Sequence, residues 1–504
     1  MSDLAQLLLP ALRWDATRGF EPLAARIESA LALGVGGFIV FGGERDAVAR
    51  LTAQLRTASR HPLLIGSDVE RGAGQQFAGC TGLPPLAALG SLGDDASLAL
   101  AARLTARESL AAGVNWGYTP VADLDVEPDN PIVGTRSLGS DPDAVAAGVA
   151  AFVDVLQAEG MLACAKHFPG HGRTVRDSHA ELPVVTASRV ELERDLVPFR
   201  AAIDAGVASI MTAHVAFPAL DPSGAPATCS RPIIHGLLRE TLGFDGLIVT
   251  DALIMAGVRD EGGEGHAAGR AVAAGCDLLL YPNDPAAALH GLEVAAGRTA
   301  PRAQLDASLA RRDYWARWAS HPDLARPVAP ADVADAAAVA RRCVHRLRGG
   351  HVAVAGRVAL AVVDDDLGGP YPPPSRRAFA ESLGDGGVEV VVHDEATAAL
   401  LDSRGGARPF ETGAGGDLHS TPIVIALFGD IRAWKGRPGY SPAARERVAA
   451  LARQARQSAR DAIIVQFSHP RLAAELPRDL PVLCAWGGEA VMQRAAASVL
   501  LGRD

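Results

Sequence analysis

No apolar run in the chain approaches the ~20 residues that a membrane-spanning helix requires, so no bilayer span is expected. Positive charge is also short: 48 Lys and Arg against 58 Asp and Glu leave a formal charge of −10. That balance argues against nucleic acid or an anionic membrane surface as the main partner. Cysteine is sparse, with Cys80, Cys164, Cys229, Cys276, Cys343 and Cys484 scattered over 504 residues and no CxxC pair. Several stand inside apolar runs, so buried free thiols in a reducing compartment are expected. The start, MSDLAQLLLPALRWD, lacks a basic n-region, a long apolar h-region and a cleavage site, and the expectation is a cytoplasmic protein.

What is present is a core. Hydrophobic residues make up 48% of the chain, and its length suits about two to three domains. Over the first ~320 residues, short apolar runs alternate with longer amphipathic segments. The runs are LLLPAL (7–12), GFIVFGG (37–43), LLIGSD (63–68), NWGYTPVADL (115–124), LACAKHF (162–168), SIMTAHV (209–215), LIVTDALIM (247–255) and DLLLYP (277–282). Between two of them, SRVELERDLVPFRAAIDAG opens with a capping box from Ser188 to Glu191 and ends at Gly206. Eight such units predict an α/β fold, a (β/α)8 TIM-type barrel over residues 1–320. An open doubly wound sheet has the same local pattern. The barrel is favoured because Asp68, Asp123, Lys166-His167, His214 and Asp251 each stand at or just beyond the C-terminal end of a different run. In a barrel those ends converge on one face; an open sheet spreads them along an edge.

The Pro-rich, polar stretch at 321–335 reads as a linker. Residues 336–504 have their own apolar runs, at 358–366, 388–393, 422–429, 462–468 and 481–486. They predict a smaller open α/β sandwich domain.

Asp251 ends a strongly apolar strand. An unpartnered buried carboxylate is too costly to be a packing residue. It is either paired structurally or faces a cleft as nucleophile, base or ligand. A carboxylate nucleophile suits an acetal carbon, because a nearby anion stabilises the cationic transition state.

The segment KHFPGHGRTVRDSH (166–179) packs three histidines into a glycine-containing loop. As a Ser/His pair, Ser178-His179 is poor, since adjacent side chains diverge and no GxSxG elbow activates the serine. As Asp-x-His the segment is better. Asp177 can bond one imidazole nitrogen of His179, fix its tautomer and leave the other nitrogen as a general acid or base. A loop merely held by that bond is the plain alternative. A metal site from His167, His171, Asp177 and His179 is disfavoured by Lys166 beside it and by the absence of an HExxH helix. The GHGR stretch lacks Walker and Rossmann spacing, so no phosphate cradle is read there. No metal or cofactor is expected. Lys166, His167 and Arg136 are donors for hydroxyls or an amide carbonyl, and Asp68 is an acceptor, a set that a sugar ring needs.

Four ordered segments, NWGYTPVADLDVEPDNPIVGTRSLGSDP (115–142), KHFPGHGRTVRDSH (166–179), IMTAHVAFPALD (210–221) and GFDGLIVTDALIMAGV (243–258), resemble glycoside hydrolase family 3 in its β-N-acetylhexosaminidase branch. The resemblance implies a retaining mechanism with Asp251 as nucleophile and His179, oriented by Asp177, as general acid/base. It implies that Asp68, Arg136, Lys166 and His167 contact the non-reducing sugar and that His214 lines the same face. Residues 336–504 look like the second domain of longer members. The substrate it implies is a small glycoside ending in β-linked N-acetylglucosamine, from muropeptides or chitin-type oligosaccharides, hydrolysed by a monomer or homodimer. Phosphorolysis on the same residues, a broader β-glucosidase and an inactive sugar-binding protein are the alternatives. One stretch departs from the family: where many members read Asp-Gln-Glu-Gly-Gly-Arg, this chain has Asp68-Val69-Glu70-Arg71-Gly72-Ala73.

Overall fold

Pro10 divides the first apolar run, because proline has no amide hydrogen to give to a ladder. In the computed structural model that run becomes two short strands, β1 (Leu8–Leu9) and β2 (Ala11–Arg13). The structure describes residues 3–258, 262–320, 326–350, 354–366, 374–402, 421–431 and 433–503. They fall into two compact units. The first comprises Met1–Thr81, Asp94–Val133 and Ser137–Val333; the second comprises Gly82–Gly93, Gly134–Arg136 and Ala334–Asp504.

Each of the other seven runs in the first unit also contains a strand: β3 (Gly37–Phe41), β4 (Leu64–Ser67), β5 (Trp116–Gly117), β6 (Cys164–Phe168), β7 (Ser209–Thr212), β8 (Leu247–Val249) and β9 (Leu279–Leu280). Every ladder among them is parallel. Helices fill the connections, as parallel pairing demands. The ladders do not run into one closed barrel. They form three sheets, β2-β3-β4-β5, β6-β7-β8 and β1-β9. Single parallel bridges stand at two breaks, Trp116↔Leu162 and Val121↔Lys166 on one side and Val249↔Leu278 on the other. The gap after β5 has a local cause, for Pro120 follows it closely and cannot donate.

The capping box is formed: Ser188 takes the Glu191 amide while Glu191 reaches back to the Ser188 amide. Pro198 divides the expected single helix into Arg189–Asp195 and Val197–Asp204. Leu192, Leu196 and Phe199 are buried along it.

In the second unit β10 (His345–Arg348), β11 (Arg357–Asp364), β12 (Glu389–Val392), β13 (Ile423–Phe428), β14 (Ala462–Phe467) and β15 (Val482–Cys484) form one sheet ordered β10-β15-β14-β13-β11-β12. All pairs are parallel except the edge strand β10, which runs antiparallel to β15. The sequence HRLR has no apolar run, and β10 was not foreseen. Residues 321–325 of the expected linker lie outside the described residues, and a helix, Pro330–Cys343, begins within its remainder. All six cysteines are free thiols, four of them buried. Among the described residues no helix is long and apolar enough to cross a membrane.

Candidate active site

Short parallel strands of the first unit end in charged side chains. Asp68 directly follows β4, Lys166 and His167 lie in β6, His214 comes two residues after β7, and Asp251 two after β8. Lys166 is only 1% exposed. A buried ammonium keeps its charge only if paired. Two carboxylates serve it: Lys166 Nζ lies 2.7 Å from Asp68 Oδ1 and 2.6 Å from Glu70 Oε1. Glu70 is buried as the lysine is, whereas Asp68 remains partly open. Glu70 stands in the loop that departs from the family pattern, at a position where the two agree.

Asp123, also buried, organises the next part. Its Oδ2 lies 2.7 Å from His167 Nδ1, and its Oδ1 accepts the His167 amide at 3.0 Å and the His171 amide at 2.6 Å. Burial pushes this carboxyl up, but His167 and His171 outweigh it and leave it below the ordinary carboxylate range. The Asp123–His167 bond directs the His167 Nδ1 hydrogen at the carboxylate, leaving Nε2 for other work.

Between His167 and His179 the chain makes its glycine-containing excursion. At Gly172 a side chain would overlap the Leu124 carbonyl, so only glycine passes there. Arg173 ties the loop to the following helix through a bidentate pair with Asp195, at 2.6 and 3.2 Å. At the loop's end Asp177 Oδ1 lies 2.8 Å from His179 Nδ1 and accepts the His179 amide at 2.9 Å. Asp177 is buried and His179 is half-buried.

His171 turns away from any metal-like arrangement. Its Nδ1 lies 2.8 Å from Thr174 Oγ1 and its Nε2 2.9 Å from Ser178 Oγ. Among the described residues no group of three or more His, Cys, Asp or Glu side chains is set to hold a metal ion. Ser178 has its hydroxyl on His171, not on His179. Its carbonyl accepts the Gly257 amide at 3.1 Å. A side chain at Gly257 would press within 2.9 Å of the Ser178 and His214 carbonyls and 3.2 Å of the Glu181 carbonyl.

His214 is fully buried, with Nδ1 2.7 Å from Thr228 Oγ1 and Nε2 3.2 Å from the Ala252 carbonyl. Next to it, Asp251 accepts the Ala252 amide at 2.7 Å. Burial pushes the Asp251 carboxyl up, yet His167, His214 and His179 together with that amide bring it down to about 2. The three imidazoles therefore bear on one ionised carboxylate.

Arg136 ends a short turn, Gly134–Arg136, that belongs to the second unit, where Thr135 Oγ1 donates to Asp430 at 3.1 Å. The first unit thus brings together Asp68, Lys166, His167, Asp177, His179, His214 and Asp251. Sequence reasoning passed over Glu70, Thr228 and Asn130, and it noted Asp123 without giving it a task. Asn130 donates to the His171 and Gly172 carbonyls at 2.9 and 3.1 Å. A charged residue inside an apolar run is a readable signal for Asp123; Thr228 and Asn130 carry none.

The model of the Glycosyl hydrolase family 3 N terminal domain matches residues 3–312. A beta-hexosaminidase of Nitrosomonas eutropha is 41% identical over 262 residues, covering 50% of this chain and 74% of that relative. One of Chromobacterium violaceum is 38% identical over 306 residues, 58% of this chain and 85% of that protein. Among solved structures, a glycoside hydrolase family 3 beta-N-acetylglucosaminidase from Paenibacillus sp. str. FPU-7 superimposes with a TM-score of 0.82 at 27% identity, covering 99% of this chain and 96% of that one. With its ordered motifs, its strand-end carboxylates and histidines and these relatives, the chain belongs to glycoside hydrolase family 3.

Proposed function

We propose that the chain is a retaining, exo-acting β-N-acetylhexosaminidase that removes terminal β-linked N-acetylglucosamine from muropeptide or chitin-type oligosaccharides. The observation that carries this is the Asp177–His179 pair, with 2.8 Å between Oδ1 and Nδ1, in the same unit as the strand-end carboxylate of Asp251, whose acidity His167, His214 and His179 increase. The names of the two beta-hexosaminidase relatives support the sugar. In this reading Asp251 attacks the anomeric carbon as His179 passes a proton to the departing glycosidic oxygen. Water then attacks the glycosyl–Asp251 ester, giving its proton to His179. Asp68, Lys166 and His167 grip the sugar hydroxyls, and His214 lines the same face. We also read the eight alternating units of residues 1–320 as a (β/α)8 barrel, on the strength of the bridges that stand at its breaks, with 336–504 as an accompanying domain.

The test is to trap the enzyme with a 2-fluoro analogue of the sugar and locate the adduct by peptide mass. Label on the Asp251 peptide is expected; label elsewhere overturns the mechanism. Turnover in phosphate buffer is expected to release free N-acetylglucosamine, and a sugar phosphate as the main product makes the enzyme a phosphorylase instead.

A further inference from the structure

Ser178 lies between the two residues proposed to form the acid/base pair, and its carbonyl and its hydroxyl are both engaged. Its carbonyl takes the Gly257 amide from the segment that follows Asp251, and its hydroxyl meets His171 Nε2 at 2.9 Å. His171 is 1% exposed. The hydrogens can be assigned from the bonds around Thr174. That hydroxyl has one hydrogen, which it donates to the His171 carbonyl at 3.1 Å, while Asn130 Nδ2 donates to its oxygen at 3.3 Å. Thr174 Oγ1 therefore receives the His171 Nδ1 hydrogen, and His171 Nε2 is left as a bare acceptor for the Ser178 hydroxyl. A neutral ring is what this pattern needs, and burial followed by the nearby His167 brings the His171 pKa down to about 4. The His171 backbone is pinned in turn by Asp123, the same carboxylate that orients His167.

We propose that His171 is a positioning residue that, through the Ser178 hydroxyl, holds Asp177 and His179 where protonation of the leaving group takes place. The inference rests on the reading of Asp177 and His179 as the acid/base pair. Neither His171 nor Ser178 touches substrate in this account, and the serine's part is to accept placement and not to attack. A merely structural clamp and a positioning clamp differ in what their removal does. Loosening the loop as a whole weakens every substrate alike. Misplacing His179 lowers kcat/KM, which reports the step that expels the leaving group, only for those substrates whose leaving group needs its proton.

Four proteins decide it: the wild type, Ser178→Ala, His179→Ala and the double variant, each assayed on chitobiose and on the dinitrophenyl glycoside of N-acetylglucosamine. Ser178→Ala is expected to lower kcat/KM on chitobiose by about ten- to a hundred-fold, a part of the 10²–10⁴ that general acid catalysis supplies. The kcat/KM of the dinitrophenyl glycoside, which reports departure of a leaving group that needs no acid, is expected to stay within about two-fold of wild type. In the His179→Ala background the Ser178 change is expected to add nothing, because the two act as one unit. His171→Gln, which keeps an acceptor for the serine, is expected to retain more chitobiose activity than His171→Ala. Should both His171 variants fail to fold, the Ser178 cycle alone decides. Equal losses of kcat/KM on the two substrates, additive losses in the double variant, or no loss from Ser178→Ala while His179→Ala behaves as an acid knockout overturn the inference. A His179→Ala protein without leaving-group dependence overturns the acid/base reading itself, and the clamp's purpose with it.

Discussion

Asp123 holds His167 at two points, the ring Nδ1 at 2.7 Å and the backbone amide at 3.0 Å. The ring bond sets which nitrogen carries hydrogen, and it does so from a carboxylate that is buried and ionised. Exchanging that carboxylate for a carboxamide, in Asp123→Asn, places an amide group opposite Nδ1. If the amide donates there, the imidazole must reverse its tautomer. We expect Asp123→Asn to lower kcat/KM by about ten- to a hundred-fold with the fold intact. Steady-state kinetics beside a circular dichroism melt checks this; unchanged kcat/KM in a folded variant removes Asp123 from the account.

Lys166 and Glu70 form a buried ion pair in which each neutralises the other. Such a pair adds little over apolar packing, but removing one member strands a charge. Lys166→Met is expected to cost about 3–5 kcal/mol of stability, and the double change with Glu70→Leu to recover part of it. Urea denaturation measures both. Asp68 is partly open, so losing its bond to Lys166 is expected to show in KM more than in stability.

The proposed chemistry separates Asp251 from His179 by leaving group. Asp251→Ala is expected to lose on the order of 10⁴-fold or more in kcat on every glycoside while still binding sugar. His179→Ala is expected to lose about 10²–10⁴-fold in kcat/KM on chitobiose and far less on a dinitrophenyl glycoside. Rates of each variant on both substrates, with calorimetric binding of N-acetylglucosamine to Asp251→Ala, decide it. Near-normal turnover by Asp251→Ala ends the proposal.

His171 links stability to pH. Its pKa falls to about 4 in the folded protein, against about 6.5 for an unfolded histidine. Between those values the unfolded chain binds a proton that the folded chain does not. The contribution is therefore fully present above about pH 6.5 and is lost as pH drops toward about 4, a swing of about 3 kcal/mol. Asp251, at about 2, loses its own contribution only lower, below the 3.8 of an ordinary aspartate. Denaturation at about pH 7 and about pH 4.5 is expected to show a larger drop for wild type than for His171→Gln. Equal drops contradict the assignment.

Much of this was legible in the sequence, for identifiable reasons. Each of the eight apolar runs contains a strand, because a strand buried on both faces must be apolar along its length. Asp251, Lys166 and His167 stood out because charge at the end of such a run needs a purpose. The spacing of Asp177 and His179 spoke for itself, since two residues is the reach of the bond that is found. What stayed hidden depends on contacts distant in sequence. Thr228 serves His214 from fourteen residues away, and Glu70 serves Lys166 across two strands; nothing local marks either. His171 belonged to a tempting cluster of histidines, and only its actual partners, Thr174 and Ser178, show that it faces inward. The strand β10 was invisible because an edge strand with half-exposed polar residues has no apolar signature.

Gly257 gives its amide to Ser178 and has a single hydrogen where a side chain would meet three carbonyls. Those carbonyls belong to Ser178, Glu181 and His214. The segment after Asp251, the loop ending in His179 and the turn after β7 are therefore fitted to one another at a point with no spare volume. Anyone grafting a different loop onto this scaffold, to trade the histidine for another acid or to widen the aglycone entrance, inherits that constraint. The pieces have to be exchanged as a matched set, because all three meet at Gly257.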